Sequence, residues 1–178
     1  MNEITVKRSA VKPAMQVLFL LFRIGKERYA LPATEVAEVL PRLPLKPIAQ
    51  APNWVAGVFA CRGAVVPVID LSALTFGEPA QARTSTRLVL VHYRPDPTGN
   101  AQLLGLILEQ ATDTLRCNPS EFQPYGLDNR QARYLGPVRE DADGLLQWVR
   151  VADLLDEQVS GLLFPSPPRD PASIEERP

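Results

Sequence analysis

The stretch that decides the fold reads Trp54-Val-Ala-Gly57-Val-Phe-Ala-Cys61, Arg62-Gly63, Ala64-Val-Val-Pro67-Val-Ile-Asp70-Leu71. Two runs rich in β-branched and aromatic residues are joined by a two-residue link with glycine, which predicts a β-hairpin. Gly63 permits the positive φ of a tight turn, so we expect Arg62 at the turn with its guanidinium facing outward. Pro67 has no N–H to donate, which predicts a position at a strand edge or bulge.

Other apolar runs of strand length lie on both sides of this hairpin, with turn residues between them. They are predicted as strands at Val17–Ile24, Arg28–Leu31, Arg87–Arg94, Leu103–Glu109 and Leu145–Val151. Because these runs are continuous rather than alternating, we expect strands that are buried on both faces. The sequence therefore predicts a mainly β fold built of small barrels that pack together.

Few segments have helical character. Val36, Val39 and Leu40 recur at helical spacing and Pro41 follows, which predicts a helix over Thr34–Leu40. A second short helix is predicted over Val151–Glu157, capped near Asp153.

The 178-residue length fits one folded unit, predicted at residues 16–164. Residues 1–15 are polar and basic without an apolar period, and we expect a flexible arm there. Residues 165–178 are rich in proline and charge, which predicts a disordered tail.

Charge and hydropathy exclude several classes of function. Nineteen basic and twenty acidic residues provide no cationic field, so we expect neither nucleic-acid binding nor attachment to an anionic membrane. The apolar run Val17–Phe22 is far shorter than a membrane span, and no cleavage site follows it. We therefore expect a soluble, cytoplasmic protein with no direct membrane insertion.

Catalytic and metal chemistry is sparse. Cys61, His92 and Asp70 are the one set that could imitate a cysteine-type triad, and their positions in strands favour structural roles. The carboxylates Glu140, Asp141 and Asp143 are predicted in a solvated turn rather than in a calcium loop. The sequence has no phosphate-loop motif and too few histidines and cysteines for a zinc site. We expect no catalytic residues, no metal site and no cofactor.

Three blocks in order carry a family resemblance: Tyr29–Val39, Ala51–Val58 and the Arg62–Leu71 block quoted above. The sequence resembles the CheW family of chemotaxis coupling proteins, over about residues 16–158. The segment Leu40–Ile48 is also similar to the WspB-type adaptors of surface-sensing pathways. The resemblance implies two intertwined, SH3-like, five-stranded β-barrels with a groove between them.

The resemblance also implies a function without enzymatic activity. Members bridge the cytoplasmic tip of methyl-accepting chemoreceptors to the regulatory domain of a CheA-type histidine kinase. Matching positions imply that Arg62, Val36 and Gly57 bind the receptor, and that Glu38 and Val39 bind the kinase or another partner. Gly63 is implied as the structural turn residue. Apart from the resemblance, Arg62 could be a solvated turn charge, and Val36 and Val39 could be packed in the core.

A second hypothesis comes from another class of protein. A groove between two barrels could bind a nucleotide or a metabolite, with Arg130 and Arg133 in a long loop predicted over Thr112–Gly144. The chain would then be a small-molecule sensor rather than an adaptor.

Overall fold

The computed structural model describes residues 15–126 and 129–167. The predicted flexible arm, except for Met15, and the predicted tail from residue 168 onward lie outside the described residues. The strands are β1 (Val17–Ile24), β2 (Glu27–Pro32), β3 (Val36–Pro41), β4 (Val55–Cys61), β5 (Ala64–Asp70), β6 (Arg87–Tyr93), β7 (Gln102–Cys117), β8 (Leu135–Asp141) and β9 (Gly144–Val149). The α-helices are α1 (Leu71–Phe76) and α2 (Glu157–Leu163).

The long strand β7 belongs to both halves of the molecule. Its first part, residues 102–108, pairs with β6, and its later part, residues 109–117, pairs with β1. We call β3–β6 with residues 102–108 the middle barrel, and β1, β2, β8 and β9 with residues 109–117 the N/C barrel. Gln110, with a φ of 48°, lies where β7 passes from one to the other. The predicted mainly β fold with two intertwined five-stranded barrels is confirmed.

Three apolar clusters hold the barrels together. The N/C barrel is filled by the rings of Phe19, Phe122 and Trp148, whose centroids lie 5.0–5.3 Å apart. The middle barrel has an aliphatic core, and the largest cluster lies between the two barrels. In β6, Leu88 and Leu90 face the middle-barrel core while Val89 and Val91 face the cluster between the barrels. This double burial explains the continuous apolar runs in the sequence.

Pro67 lies where its missing N–H costs nothing. It is opposite Val58, whose N–H and C=O both bond to Lys46 at 2.8 Å, and it precedes Val68, where the ladder with β7 begins. No partner therefore requires a hydrogen bond from residue 67, but β5 pairs with both β4 and β7, so the predicted edge-strand position is wrong.

The helix predicted over Thr34–Leu40 is wrong. A 3₁₀ turn at Ala33–Glu35 leads into the strand β3, which pairs antiparallel with β6. The register shifts between Val36 and Glu38, which marks a bulge. Because a bulge moves the side-chain alternation by one residue, Val36 and Val39 face the same side at a spacing that resembles a helix.

Other boundaries near the C-terminal end also differ from the prediction. β7 continues to Cys117 and β8 lies within the predicted loop Thr112–Gly144, so that loop is wrong. The helix predicted over Val151–Glu157 is a 3₁₀ turn at Val151–Asp153, and α2 begins only after Asp156. The Asp156 carboxylate accepts a hydrogen bond from the N–H of Val159 at 2.8 Å, which fixes the start of α2 there.

Candidate functional site

The β4–β5 hairpin ends in the predicted two-residue turn. Arg62 and Gly63 have φ values of 50° and 82°, and Cys61 pairs with Ala64 across them. Both central residues are left-handed, which matches the twist of the flanking strands. The Arg62 side chain is 78% exposed, so it points outward as predicted.

Arg62 nevertheless has a partner. Its Nη2 donates a hydrogen bond to Oε2 of Glu38 in β3 at 2.8 Å. An exposed ion pair of this kind contributes roughly 0–1 kcal/mol to folding, so its main effect is to orient both side chains. The structure therefore joins in one ion pair two residues that the resemblance assigns to different partners.

Val36 and Val39 lie on the other face of β3. They pair with Val91 and Val89, which belong to the cluster between the barrels. Val36 is packed against that cluster, whereas Val39 remains 44% exposed. Core packing thus accounts for Val36 and leaves much of Val39 on the surface.

The backbone structure explains why position 57 is a glycine. Its φ is 141°, and a Cβ added there would lie 2.5 Å from the carbonyl oxygen of Lys46. The close approach allows Lys46 to bond to Val58 along the outer edge of β4. Gly57 therefore contributes backbone shape, and a partner at this position would contact backbone rather than a side chain.

Sequence reasoning missed Val65, whose side chain is 70% exposed. It pairs with Ala60 close to the Arg62 turn. No signal marked it, because Val65 stands within a run that reads as continuously apolar. β3 and the β4–β5 hairpin therefore carry the Arg62–Glu38 ion pair and two exposed apolar side chains, Val39 and Val65.

The possible triad does not assemble. Asp70 caps α1: its Oδ1 accepts from the N–H groups of Ser72 and Ala73, and its Oδ2 accepts from Ala80 at 2.8 Å. With its carboxylate bonded in this way, Asp70 has no role in orienting His92, which is exposed on β6. Within residues 15–126 and 129–167, no cluster of three or more His, Cys, Asp or Glu side chains could hold a metal ion.

Arg130 and Arg133 line a pocket of about 500 Å³ near the junction of the barrels. Three carboxylates, Asp153, Asp156 and Glu157, line the same pocket. Their negative charge opposes the binding of an anionic nucleotide, so the geometry gives the small-molecule hypothesis no specific support.

A network of ion pairs links β2 to β8 in the N/C barrel. Arg28 in β2 makes two hydrogen bonds, of 2.7 and 3.1 Å, to the carboxylate of Asp141, which also accepts from Arg139 at 3.0 Å. The hydrogen bonding from Arg28 is the largest cause that lowers the pKa of Asp141. The prediction of a solvated turn is wrong for this carboxylate, because residues 28 and 141 meet only when β2, β9 and β8 assemble.

Comparisons with known proteins agree with this architecture. A model of the CheW-like domain matches residues 18–159. The chemotaxis protein CheW of Helicobacter pylori is 30% identical over 141 residues, 77% of this chain and 80% of that protein. CheW of Bacillus subtilis is 22% identical over 148 residues, 82% of this chain and 91% of that protein. The crystal structure of the scaffolding protein TtCheW from Thermoanaerobacter tengcongensis matches with a TM-score of 0.69 at 20% identity, over 83% of this chain and 92% of that one.

The paired barrels define a protein of the SH3-like double-barrel class. The chain belongs to the CheW family of chemotaxis proteins. It is an adaptor that couples chemoreceptors to the histidine kinase CheA. In the part of the chain that the structure describes, no helix is long and apolar enough to cross a membrane.

Proposed function

We propose that the side of the middle barrel formed by β3 and the β4–β5 hairpin is where this adaptor meets its partners. Arg62, Val36 and Gly57 contact the cytoplasmic tip of the receptor. Glu38 and Val39 contact the regulatory domain of the kinase. The protein acts without catalysis, in the cytoplasm, and reaches the membrane array through its partners.

The observation that carries this proposal is the ion pair between Arg62 and Glu38. Arg62 is 78% exposed and the Glu38 side chain is 35% exposed, so a partner can reach both charged groups. Since the pair adds little to folding, a partner can compete for either group at low cost. The two interfaces therefore adjoin, and binding at one changes the charge presented at the other.

Barrel edges offer a second mode of contact with the kinase. β8 lies at the end of the sheet order, and within the described residues its outer side carries one isolated bridge, between Val138 and Gln123. Strands with unpaired edges can be covered by a strand of another barrel. We expect the N/C barrel to use this edge when the signalling complex assembles.

The experiment is kinase autophosphorylation in a reconstituted array of receptor, kinase and adaptor. Arg62→Glu is expected to abolish activation while the adaptor stays folded. The matched control is Arg94→Glu, because Arg94 is an exposed arginine that directly follows β6 of the same barrel and donates a hydrogen bond to the nearby carbonyl of Gly99. Activation by Arg62→Glu that equals wild type would contradict the proposal.

The exchanged variant Glu38→Arg/Arg62→Glu distinguishes the effect of the ion pair from the effect of each residue's own contact with a partner. It restores the attraction between positions 38 and 62 but reverses what each presents to a partner. We expect it to stay inactive, because each residue has its own contact. Full recovery of activation would show that the ion pair matters and that the separate contacts do not.

A further inference from the structure

The N/C barrel carries a groove that adjoins the β8 edge and is lined by none of the five residues proposed as partner contacts. Two cavities of about 400 and 300 Å³ adjoin, since Pro137 and Arg150 line both. Aromatic and proline side chains dominate the walls. They are Phe122, Pro124, Tyr125, Pro137 and Trp148.

A buried carboxylate lies in the smaller cavity. Glu35 lines that cavity with Asp153, and its buried Oε2 has no hydrogen-bond partner among the residues that the structure describes. Burial raises the pKa of Glu35. A buried, unpaired carboxylate oxygen is costly, so this end of the groove suits a ligand with a cationic hydrogen-bond donor.

The chain leaves the described fold beside this end of the groove. After α2, the ring of Phe164 stacks on Tyr93 with centroids 5.3 Å apart. Val91, two residues before Tyr93 on the same face of β6, pairs with Val36, the neighbour of Glu35. Two residues of a strand span about 7 Å, so the C-terminal segment starts near the part of β6 that pairs with the neighbour of Glu35.

The sequence that follows has the composition such a groove binds. It reads Pro165-Ser-Pro167-Pro168-Arg169-Asp170-Pro171, with prolines three residues apart at 165 and 168 and again at 168 and 171. Proline-rich segments in the polyproline II conformation dock in aromatic grooves of SH3-type barrels. At 3.1 Å per residue, the five residues from Phe164 to Arg169 reach about 15 Å, enough to place a guanidinium at Glu35.

The order of charges along the groove is complementary to their order along the C-terminal segment. Along the groove from the Phe164 side, the acidic end with Glu35 comes first and Arg150 follows at the junction of the cavities. Along the chain, Arg169 comes first and Asp170 follows. We propose that residues 168–171 dock in this groove of the same molecule, with Arg169 paired to Glu35. This inference does not depend on the adaptor function.

A spin label at the end of the segment tests the proposal in the full chain. Ala172→Cys carries the label in a Cys61→Ser background, where the remaining thiol, Cys117, is buried. The two indole N–H signals then report on two places, because Trp148 lines the groove and Trp54 lines the Arg130 pocket. We expect strong broadening of the Trp148 signal and much weaker broadening of the Trp54 signal.

Charge variants distinguish docking from mere tethering. Arg169→Glu is expected to remove most of the Trp148 broadening, as is Glu35→Gln. Arg177→Glu is the matched control, since it makes the same charge change outside the proline segment and should leave the broadening intact. Equal broadening in wild type and Arg169→Glu would overturn the proposal.

A mixing experiment identifies the molecule that supplies the segment. Isotope-labelled protein without the spin label is mixed with spin-labelled protein that carries no isotope. Docking within one molecule predicts no broadening of Trp148 in the mixture. Broadening there that matches the doubly labelled sample would overturn intramolecular docking in favour of exchange between copies.

Discussion

The middle barrel and the N/C barrel differ in how the chain builds them. The middle barrel is continuous in sequence from β3 to the first part of β7, and its core is aliphatic. The N/C barrel joins both ends of the chain, through the parallel pairing of Arg28 in β2 with Leu146 in β9, around three aromatic rings in tilted and edge-to-face contact. The five residues named as partner contacts lie in the middle barrel, whereas the N/C barrel carries the Arg28–Asp141 ion network, the aromatic groove and the β8 edge proposed as a second kinase contact.

The two barrels therefore differ in role: one carries exposed residues for partners, and the other holds distant parts of the chain together. The middle barrel presents Arg62 and Glu38 on a short hairpin and an edge strand, where substitutions cost little stability. The N/C barrel closes the fold through contacts between residues more than a hundred positions apart, such as Arg28 with Asp141. Substitutions of the exposed Arg62 and Glu38 should therefore affect mainly partner binding, whereas substitutions of Asp141 and, within the middle barrel, of the crowded Gly57 should affect folding.

The largest loss of stability is expected from Gly57→Ala. The added Cβ would meet the Lys46 carbonyl oxygen at 2.5 Å, and a φ of 141° strains any L side chain. We expect a loss on the order of 3 kcal/mol in the free energy of unfolding, measured with urea. Gly63→Ala is the control: its φ is 82° but nothing lies within 4 Å of the new Cβ, so about 1–2 kcal/mol should be lost. Equal losses at both positions would contradict the close-approach role of Gly57.

Asp141→Asn tests closure of the N/C barrel. Removing the charge that accepts from Arg28 and Arg139 should cost about 1–3 kcal/mol at neutral pH. Because the pKa of Asp141 is lowered in the folded state, its contribution is complete above the ordinary value of about 4 and is lost as the pH falls through the folded value. The difference between wild type and variant should therefore shrink in acid. Asp143→Asn, at an exposed carboxylate that interacts with Arg28 through charge alone, should show much smaller effects.

Glu35→Gln tests the buried carboxylate, whose effect on stability changes with pH in the opposite direction to that of Asp141. Burial raises its pKa, so the folded state holds the proton more tightly and stability falls as the pH rises through the interval above about 4.3. In an Arg169→Glu background, where the proposed partner is absent, Glu35→Gln should stabilise the fold by about 1 kcal/mol at pH 7. With Arg169 present the gain should be smaller. No gain in either background would mean that Glu35 is solvated.

The smallest effect on folding is expected from Arg62→Glu. The ion pair with Glu38 is exposed, so the free energy of unfolding should change by no more than about 1 kcal/mol. Thermal or urea unfolding checks this directly. A loss as large as that of Gly57→Ala would make Arg62 a structural residue of the middle barrel.

The sequence predicted the local features well and the distant ones poorly. β1 and β5 and the Arg62-Gly63 turn were located correctly, because a hairpin depends on neighbouring residues. β3 was mistaken for a helix because a bulge imitated helical spacing, which only the pairing with β6 reveals. β8 was missed because its Gly136, Pro137 and charged residues resemble a loop, and its pairing with β9 makes it a strand.

The candidate site shows the same limit. Each of its residues was named from family resemblance, and Arg62 was expected to face outward. The contact between Arg62 and Glu38 was not predicted, because it forms only when the hairpin lies beside β3. The aromatic groove was also missed, since its walls come from separate parts of the chain.

The most direct test of the adaptor account is a binding measurement on isolated partners. A receptor cytoplasmic hairpin and a CheA regulatory domain are each titrated with wild-type protein, with Arg62→Glu and with Glu38→Arg. The account predicts that wild type binds both, that Arg62→Glu weakens mainly receptor binding, and that Glu38→Arg weakens mainly kinase binding. Failure of folded wild-type protein to bind either partner would contradict it.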